Sequence, residues 1–270
     1  LEKVLETVPE NAGGMSVAWV THHLPRDTDS ANPAHLPGKY VGGAEMTDAT
    51  LLEAAPLDVD LVPAWEWERA LSADHIIITG TDLLPDEAMT RLADMKPTVF
   101  LHHQQPHSEA RRQLINAAQV LILHTPAHES IERQWTQPQR VELVLSPMNP
   151  TECRIEAKQD HAVWAQRLHD LKGPLAARMW ASENNIKLKV LTNASRSEVL
   201  DSLALARWFV HLPLGFESES RATIEAVLSG CECITNDRVG ITSVDGWQDA
   251  GRLSEMVSTA AQTWWQVALP

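Results

Sequence analysis

The sequence predicts an α/β protein made of two doubly wound, parallel-sheet domains that face a cleft. Short apolar runs such as Ile76-Ile77-Ile78 alternate along the chain with helix-like segments, the pattern of parallel strands joined by crossover helices. The alternation breaks once, at "PMNPTEC" (147–153), where two prolines mark an interdomain linker. A chain of 270 residues is long enough for two modest cores.

In chain order, "SVAWVTHH" (16–23) reads as a buried strand, followed by a polar, proline-containing loop to about Tyr40 and a helix over 42–55. Residues 58–63 suggest a short strand and "DHIIITG" (74–80) a strong one. A helix over 85–95 starts with Pro85 and carries acids in its first turn. Strands over 97–103, 119–125 and 141–146 then alternate with helices over 107–117 and 127–135. Beyond the linker, "HAVWAQRL", "IKLKVLT", "RWFVHLPL" and "ECITND" read as strands. "GPLAARMWASEN", "RSEVLDSLALA" and "SRATIEAVLSG" read as the helices between them, and the tail is one long helix. The expected division is a non-core or tag-like extension over 1–14, a Rossmann-like domain over 15–150, and a second over 151–270 that includes the terminal helix. Ligands of such sheets bind beyond the carboxyl ends of the strands, where loops enter helix N-termini.

Composition narrows the function classes. No apolar run is long enough to suggest a membrane span, and the N-terminus lacks a signal-peptide pattern, so a cytoplasmic protein is expected. The three cysteines, Cys153, Cys231 and Cys233, do not form a disulfide framework. Cys231-x-Cys233 has no second pair at metal-binding spacing and reads as buried reduced thiols. The net charge is −14. It is concentrated in residues 1–150, which hold 10 basic and 21 acidic side chains against 12 and 15 in residues 151–270. Such a surface repels polyanions and argues against broad nucleic-acid binding.

Three stretches carry candidate chemistry. In "LPLGFESESRATIEAVLSG" (212–230), Glu217, Glu219 and Glu225 stand between an apolar strand and an apolar helix. Carboxylates near a helix start offset its dipole, which accounts for Glu217 and Glu219 but not for Glu225, set mid-helix beside Ile224 and Val227. The other reading is that they accept hydrogen bonds from a hydroxyl-rich ligand. In "AVWAQRLHDLKGP" (162–174), Arg167 and Lys172 follow a strand and precede Gly173-Pro174 at a helix start. They are either solvated loop cations or a pair able to neutralise a diphosphate. In "YVGGAE" (40–45), Gly42 and Gly43 allow close backbone approach to an anion at a helix start, although glycine pairs also mark ordinary turns.

Together these motifs resemble the retaining glycosyltransferases of the two-domain GT-B fold, in the group related to sucrose synthases and bacterial mannosyltransferases. The E-x7-E motif matches Glu217 and Glu225, the R-x4-K-G signature matches Arg167, Lys172 and Gly173, and the N-terminal glycine loop matches Gly42 and Gly43. The resemblance covers roughly residues 16–250. It implies a nucleotide-diphosphate sugar, UDP- or GDP-linked, held mainly by the C-terminal domain, with no further cofactor and no metal. Arg167 and Lys172 would hold the diphosphate, Glu217 the sugar hydroxyls and Glu225 the ribose. Amides near Glu219, Ser220 and Arg221 would face the sugar or phosphate, and Gly42 and Gly43 would close over the diphosphate. The catalytic set implied is Glu217, Arg167 and Lys172. The N-terminal domain would carry the acceptor, which the sequence leaves open: a glycan, a small molecule, a lipid, or less favoured, a modified DNA base. Glu219 and Ser220 depart from the family pattern, and "GTD" (80–82) stands where members often have a histidine. His102 and His103, at the next strand's end, are either cleft residues or core and loop histidines. Against the family pattern, the C-terminal domain lacks one strand–helix unit between Lys172 and "IKLKVLT". The alternatives are a nucleotide-sugar-binding subunit without catalysis and a nucleotide-sugar epimerase. Asp58-Val-Asp60 imitates a metal-binding DxD motif, and "HHQQPH" (102–107) has a metal-like histidine content. Position and the lack of partner ligands favour surface charge for the first and no metal for the second.

Overall fold

The structure is a computed structural model that describes residues 14–22, 43–103, 108–166, 169–192 and 194–270. The first sheet contains β1 (Val17–Thr21), β2 (Val59–Pro63), β3 (His75–Thr79), β4 (Thr98–Phe100), β5 (Val120–Leu123) and β6 (Val141–Leu143). Its order is β2-β1-β3-β4-β5-β6 and every pairing is parallel. The second sheet contains β7 (Gln159–Ala165), β8 (Lys187–Leu191), β9 (Ala206–His211) and β10 (Glu232–Thr235), in the parallel order β10-β9-β7-β8. The crossover helices are α1 (Gly43–Glu53), α2 (Asp86–Ala93), α3 (Glu109–Ala117), α4 (Pro126–Glu132), α5 (Pro174–Glu183), α6 (Arg196–Leu205) and α7 (Arg221–Leu228), and the chain ends with α8 (Ala250–Ala268). Two parallel-sheet units are therefore present, as the alternation predicts.

Local chemistry sets these elements. β1, β3 and β5 are buried along their whole length, which is why they read as continuous apolar runs rather than alternating ones. Ser108, Thr125 and Ser195 cap α3, α4 and α6 by accepting from the backbone N–H of Arg111, His128 and Glu198. The crossover between β2 and β3 is a tight 3-10 run, Ala64–Ser72, broken at Glu66. Ala64, Trp67 and Ala70, three residues apart, turn its apolar face to the core.

The last helix serves both sheets. Leu253 and Val257 pack with Ile224 and Leu228 of α7, whereas Ala260, Trp264, Trp265 and Ala268 pack with Trp19 and Phe100 of the first sheet. Trp264 stacks on Trp19 with centroids 5.0 Å apart. The Trp265 indole donates to the Leu51 carbonyl at 2.7 Å, and the Thr98 hydroxyl donates to the Ala268 carbonyl at 2.7 Å. Read from sequence as the end of the C-terminal domain, α8 packs there through its first half and on the first sheet through its second.

Each sheet reverses its strand order once, between β1 and β3 in the first and between β7 and β9 in the second. A crevice opens at the carboxyl ends of the strands at such a reversal, and ligands of open α/β sheets settle there.

Candidate active site

The crevice of the second sheet collects Lys172, His211 and Glu217. His211 is the last residue of β9, paired in register with Thr235. Lys172 lies on the loop between β7 and α5, held by the next residue. Gly173 has φ +74°, and a Cβ there would sit 2.0 Å from the Leu212 carbonyl oxygen. Only glycine lets this loop press against the exit of β9. Glu217 is anchored through its backbone, its N–H donating to Arg238 O at 2.9 Å and its carbonyl accepting from Gly240 N at 2.7 Å. The Lys172 ammonium approaches Glu217 Oε1 at 2.5 Å, and His211 Nε2 lies 4.0 Å from the same oxygen. Lys172 and Glu217 remain partly open to solvent, whereas His211 is fully buried. Among the described residues neither ring nitrogen of His211 has a hydrogen-bond partner. Burial, reinforced by the Lys172 charge, pushes its pKa down to about 3, so the imidazole is neutral at ordinary pH.

The loop after Glu217 turns toward the first sheet. Glu219 is buried, and its carboxylate accepts from the Ser146 N–H at 2.6 Å and lies 3.8 Å from His124 Nδ1. The Ser218 carbonyl accepts from the Thr125 hydroxyl at 2.7 Å, and the Ser218 hydroxyl donates to the His102 carbonyl. Ser220 takes a left-handed conformation, φ 74°, at the start of α7. Arg221 reaches back to the first sheet, donating to Thr47 Oγ1 at 3.1 Å and to the Pro147 carbonyl at 3.2 Å. Gly43, at the start of α1, sits over this side chain: a Cβ there would be 3.1 Å from Arg221 Cδ. Side chains of Glu219 and Arg221 thus join the two units, a role that the motif reading, centred on backbone amides, did not anticipate.

Glu225 is buried on α7 and accepts from Arg196 at the start of α6. Arg196 also donates to Glu152 Oε2 at 3.0 and 3.1 Å. These two acids hold the Arg196 pKa up against the opposing effect of burial. The carboxylate that the motif assigns to a ribose is therefore engaged by a guanidinium here. Gly42 and Arg167 lie outside the described residues.

The crevice of the first sheet is filled by its own polar network. Asp48 of α1 accepts from Thr21 Oγ1 at 3.0 Å and Thr79 Oγ1 at 2.8 Å, and pairs with His102 Nε2 at 2.7 Å. The Trp19 indole donates to Thr79 Oγ1 at 2.9 Å. His102 is buried in this cluster and His103 is exposed. His128, fully buried, stands next to His124 with ring centroids 6.2 Å apart. Burial lowers the pKa of both, in His128 to well below the usual value.

The decoy motifs resolve simply. Asp58 and Asp60 are exposed, and Asp60 pairs with Arg69 at 3.1 Å. Of the histidine-rich run, residues 104–107 lie outside the described residues. Cys231 is buried and gives its thiol to the Leu203 and Ala206 carbonyls, and burial raises its pKa to about 11. Among the described residues no group of three or more His, Cys, Asp or Glu is arranged to hold a metal ion. No helix among them is long and apolar enough to cross a membrane.

His211, Asp48 and Arg196 were absent from the motif reading. For His211 the signal was a titratable side chain closing an otherwise apolar strand run. Arg196 and Glu225 are far apart in sequence and share no periodic pattern.

No protein-family model and no curated protein matches the sequence. Solved structures do match in shape. A sucrose-phosphate synthase from Thermosynechococcus elongatus superposes with a TM-score of 0.62 at 13% identity, covering 94% of both chains. AviGT4, a glycosyltransferase involved in avilamycin A biosynthesis, gives 0.57 at 17% identity over 93% of each chain. Anabaena HepE in complex with UDP and glucose gives 0.54 at 13% identity, covering 94% of this chain and 95% of that one. At these identities the likeness is one of fold, and the chain has the GT-B architecture that these proteins share.

Proposed function

We propose that the protein is a glycosyltransferase that moves a hexose from a UDP- or GDP-linked sugar to an acceptor, with retention at the anomeric carbon. The observation that carries this is the Lys172–Glu217–His211 cluster at the open crevice of the second sheet. It joins an ammonium, a partly exposed carboxylate and a buried, unpartnered imidazole at the strand reversal. The GT-B fold and the E-x7-E and R-x4-K-G spacings support the same function.

In this account Lys172, with Arg167, neutralises the diphosphate and stabilises it as it leaves, and no metal is required. Glu217 accepts hydrogen bonds from sugar hydroxyls, which strengthen as positive charge grows at the anomeric carbon. Positioning and fixed charge supply most of the rate. Glu225 reaches the ribose with Arg196 steadying its carboxylate. Retention follows the resemblance in the spacing of Glu217 and Glu225. The acidic character of residues 1–150 favours an acceptor that is neutral, cationic or small.

A thermal-shift panel of UDP-glucose, UDP-N-acetylglucosamine and GDP-mannose tests the donor. A ligand at a hundred times its dissociation constant stabilises by about 2.7 kcal/mol. Release of nucleotide diphosphate from the stabilising sugar then separates a transferase from a protein that only binds. No stabilisation by any member of the panel, or binding without release, contradicts the proposal.

A further inference from the structure

Lys172 is committed to Glu217 before any diphosphate arrives, and a bound diphosphate would draw its ammonium away. In the ligand-free structure its ammonium is 2.5 Å from Glu217 Oε1. A diphosphate carries more charge than a carboxylate and competes for the same ammonium. Once Lys172 turns to it, Glu217 loses its charged partner in a half-buried place. A carboxylate left so is poorly held, and a poorly held carboxylate cannot orient a sugar.

One group stands ready to replace the lysine. His211 is fully buried, neither ring nitrogen has a hydrogen-bond partner among the described residues, and its Nε2 lies 4.0 Å from Glu217 Oε1. An unsatisfied buried polar group is costly and calls for an explanation. Phenylalanine or leucine would fill such a site without that cost, as the neighbouring Phe209 and Val210 of the same strand do. The lone imidazole makes sense if its partner arrives during the working cycle.

We propose that His211 is a positioning residue that takes Glu217 over from Lys172 when donor binds, its Nε2–H donating to the Glu217 carboxylate while the lysine moves to the diphosphate. The approach required is about 1 Å, from 4.0 Å to ordinary hydrogen-bond length. The imidazole is neutral, so it can hold Glu217 through a single N–H without competing with Lys172 as a second cation. Lys172 thus couples donor arrival to the arming of Glu217.

This inference rests on the glycosyltransferase reading, and the test separates the two. Wild type, His211→Phe and His211→Gln are compared for donor-sugar binding by calorimetry, for kcat and KM of sugar release, and for melting temperature. The donor is whichever of UDP-glucose, UDP-N-acetylglucosamine or GDP-mannose stabilises the wild type most. His211→Phe should keep or raise the melting temperature, bind the free nucleotide diphosphate within about twofold of wild type, and lose about ten- to a hundredfold in kcat, the size of one hydrogen bond to a charged group. His211→Gln, which restores an N–H donor, should recover most of that loss. A Phe variant with wild-type kcat overturns the inference and leaves the glycosyltransferase reading intact. So does equal impairment of Phe and Gln variants that tracks a fall in melting temperature. Absence of donor binding in the wild type overturns both. If the Phe variant does not fold, His211→Leu makes the same comparison.

Discussion

The two sheets solve the same topological problem in opposite ways. Each reverses its strand order once and so opens a crevice at its carboxyl edge. In the first sheet the crevice is plugged: Asp48 answers Thr21, Thr79 and His102 together, at 3.0, 2.8 and 2.7 Å. In the second, His211 has no hydrogen-bond partner among the described residues and stands beside a Lys172–Glu217 pair that is still partly open to water; His128 of the first unit is likewise buried without one, but it lies outside the Asp48 network and beside no such pair. A satisfied network holds a fold, whereas an ammonium–carboxylate pair beside an unsatisfied imidazole has hydrogen-bonding capacity in reserve, which is why the donor site is proposed in the second unit.

The sharpest way to break this contrast is to remove the plug. Asp48→Ala leaves Thr21, Thr79 and His102 without their shared acceptor, and should cost about 3–5 kcal/mol in denaturant unfolding, as for other broken buried charge networks. A loss under about 1 kcal/mol would mean that the first crevice is as loosely held as the second.

Next in size is the phosphate contact. Lys172→Ala should weaken nucleotide-diphosphate binding by about 1.5–3 kcal/mol, the range for a charge-assisted hydrogen bond, and barely alter nucleoside binding. Equal losses for the two ligands would move Lys172 away from the phosphates.

Acid should act on the buried histidines. His124, His128 and His211 have folded pKa values depressed below the unfolded value near 6.5. Above that pH both states are neutral and these groups leave stability unchanged. As the pH falls through 6.5 the unfolded chain takes up protons that the folded chain refuses, so stability drops by up to about 1.4 kcal/mol per pH unit for each histidine. For His211 the window extends down to about pH 3. Urea unfolding at pH 7 and pH 5 should show the drop, with a shallower slope in His211→Phe. A slope unchanged by that substitution would mean that His211 is protonated in the folded protein.

The smallest effect belongs to the join between the units. Gly43→Ala places a Cβ 3.1 Å from Arg221 Cδ, so this side chain must give by a few tenths of an ångström. The side chain can yield, so stability should change by less than about 1 kcal/mol, and thermal unfolding would read it. A larger loss would show that Arg221 is clamped between the units rather than adaptable.

The alternation of apolar runs made the fold legible, because strands buried on both faces leave continuous hydrophobic stretches and the caps at Ser108, Thr125 and Ser195 punctuate the helices. The tight turn over Ala64–Ser72 was not: Ala64, Trp67 and Ala70 recur at three-residue spacing, but the stretch falls between two strand signals, and its backbone is a 3-10 run broken at Glu66. Nor was the allegiance of α8: its tryptophans declare an apolar face but not which sheet receives it. At the site, the spacing of Glu217 and Lys172 brought forward two residues that do meet. Spacing was silent on Arg196, which holds Glu225 through a long-range fold contact, and on Asp48, a carboxylate on a mildly amphipathic helix. A pattern along the chain records local periodicity, whereas hydrogen-bond satisfaction is a property of the folded whole.

The most direct test of the account is Glu217→Gln, which keeps the shape of the side chain and removes its charge. With melting curves matched to wild type, the variant should lower kcat for sugar release much more than it raises donor KM, because the lost interaction strengthens only as charge develops in the transition state. A Glu217→Gln protein with matched stability and wild-type kcat and KM would remove Glu217 from the site, and the open crevice would need another explanation.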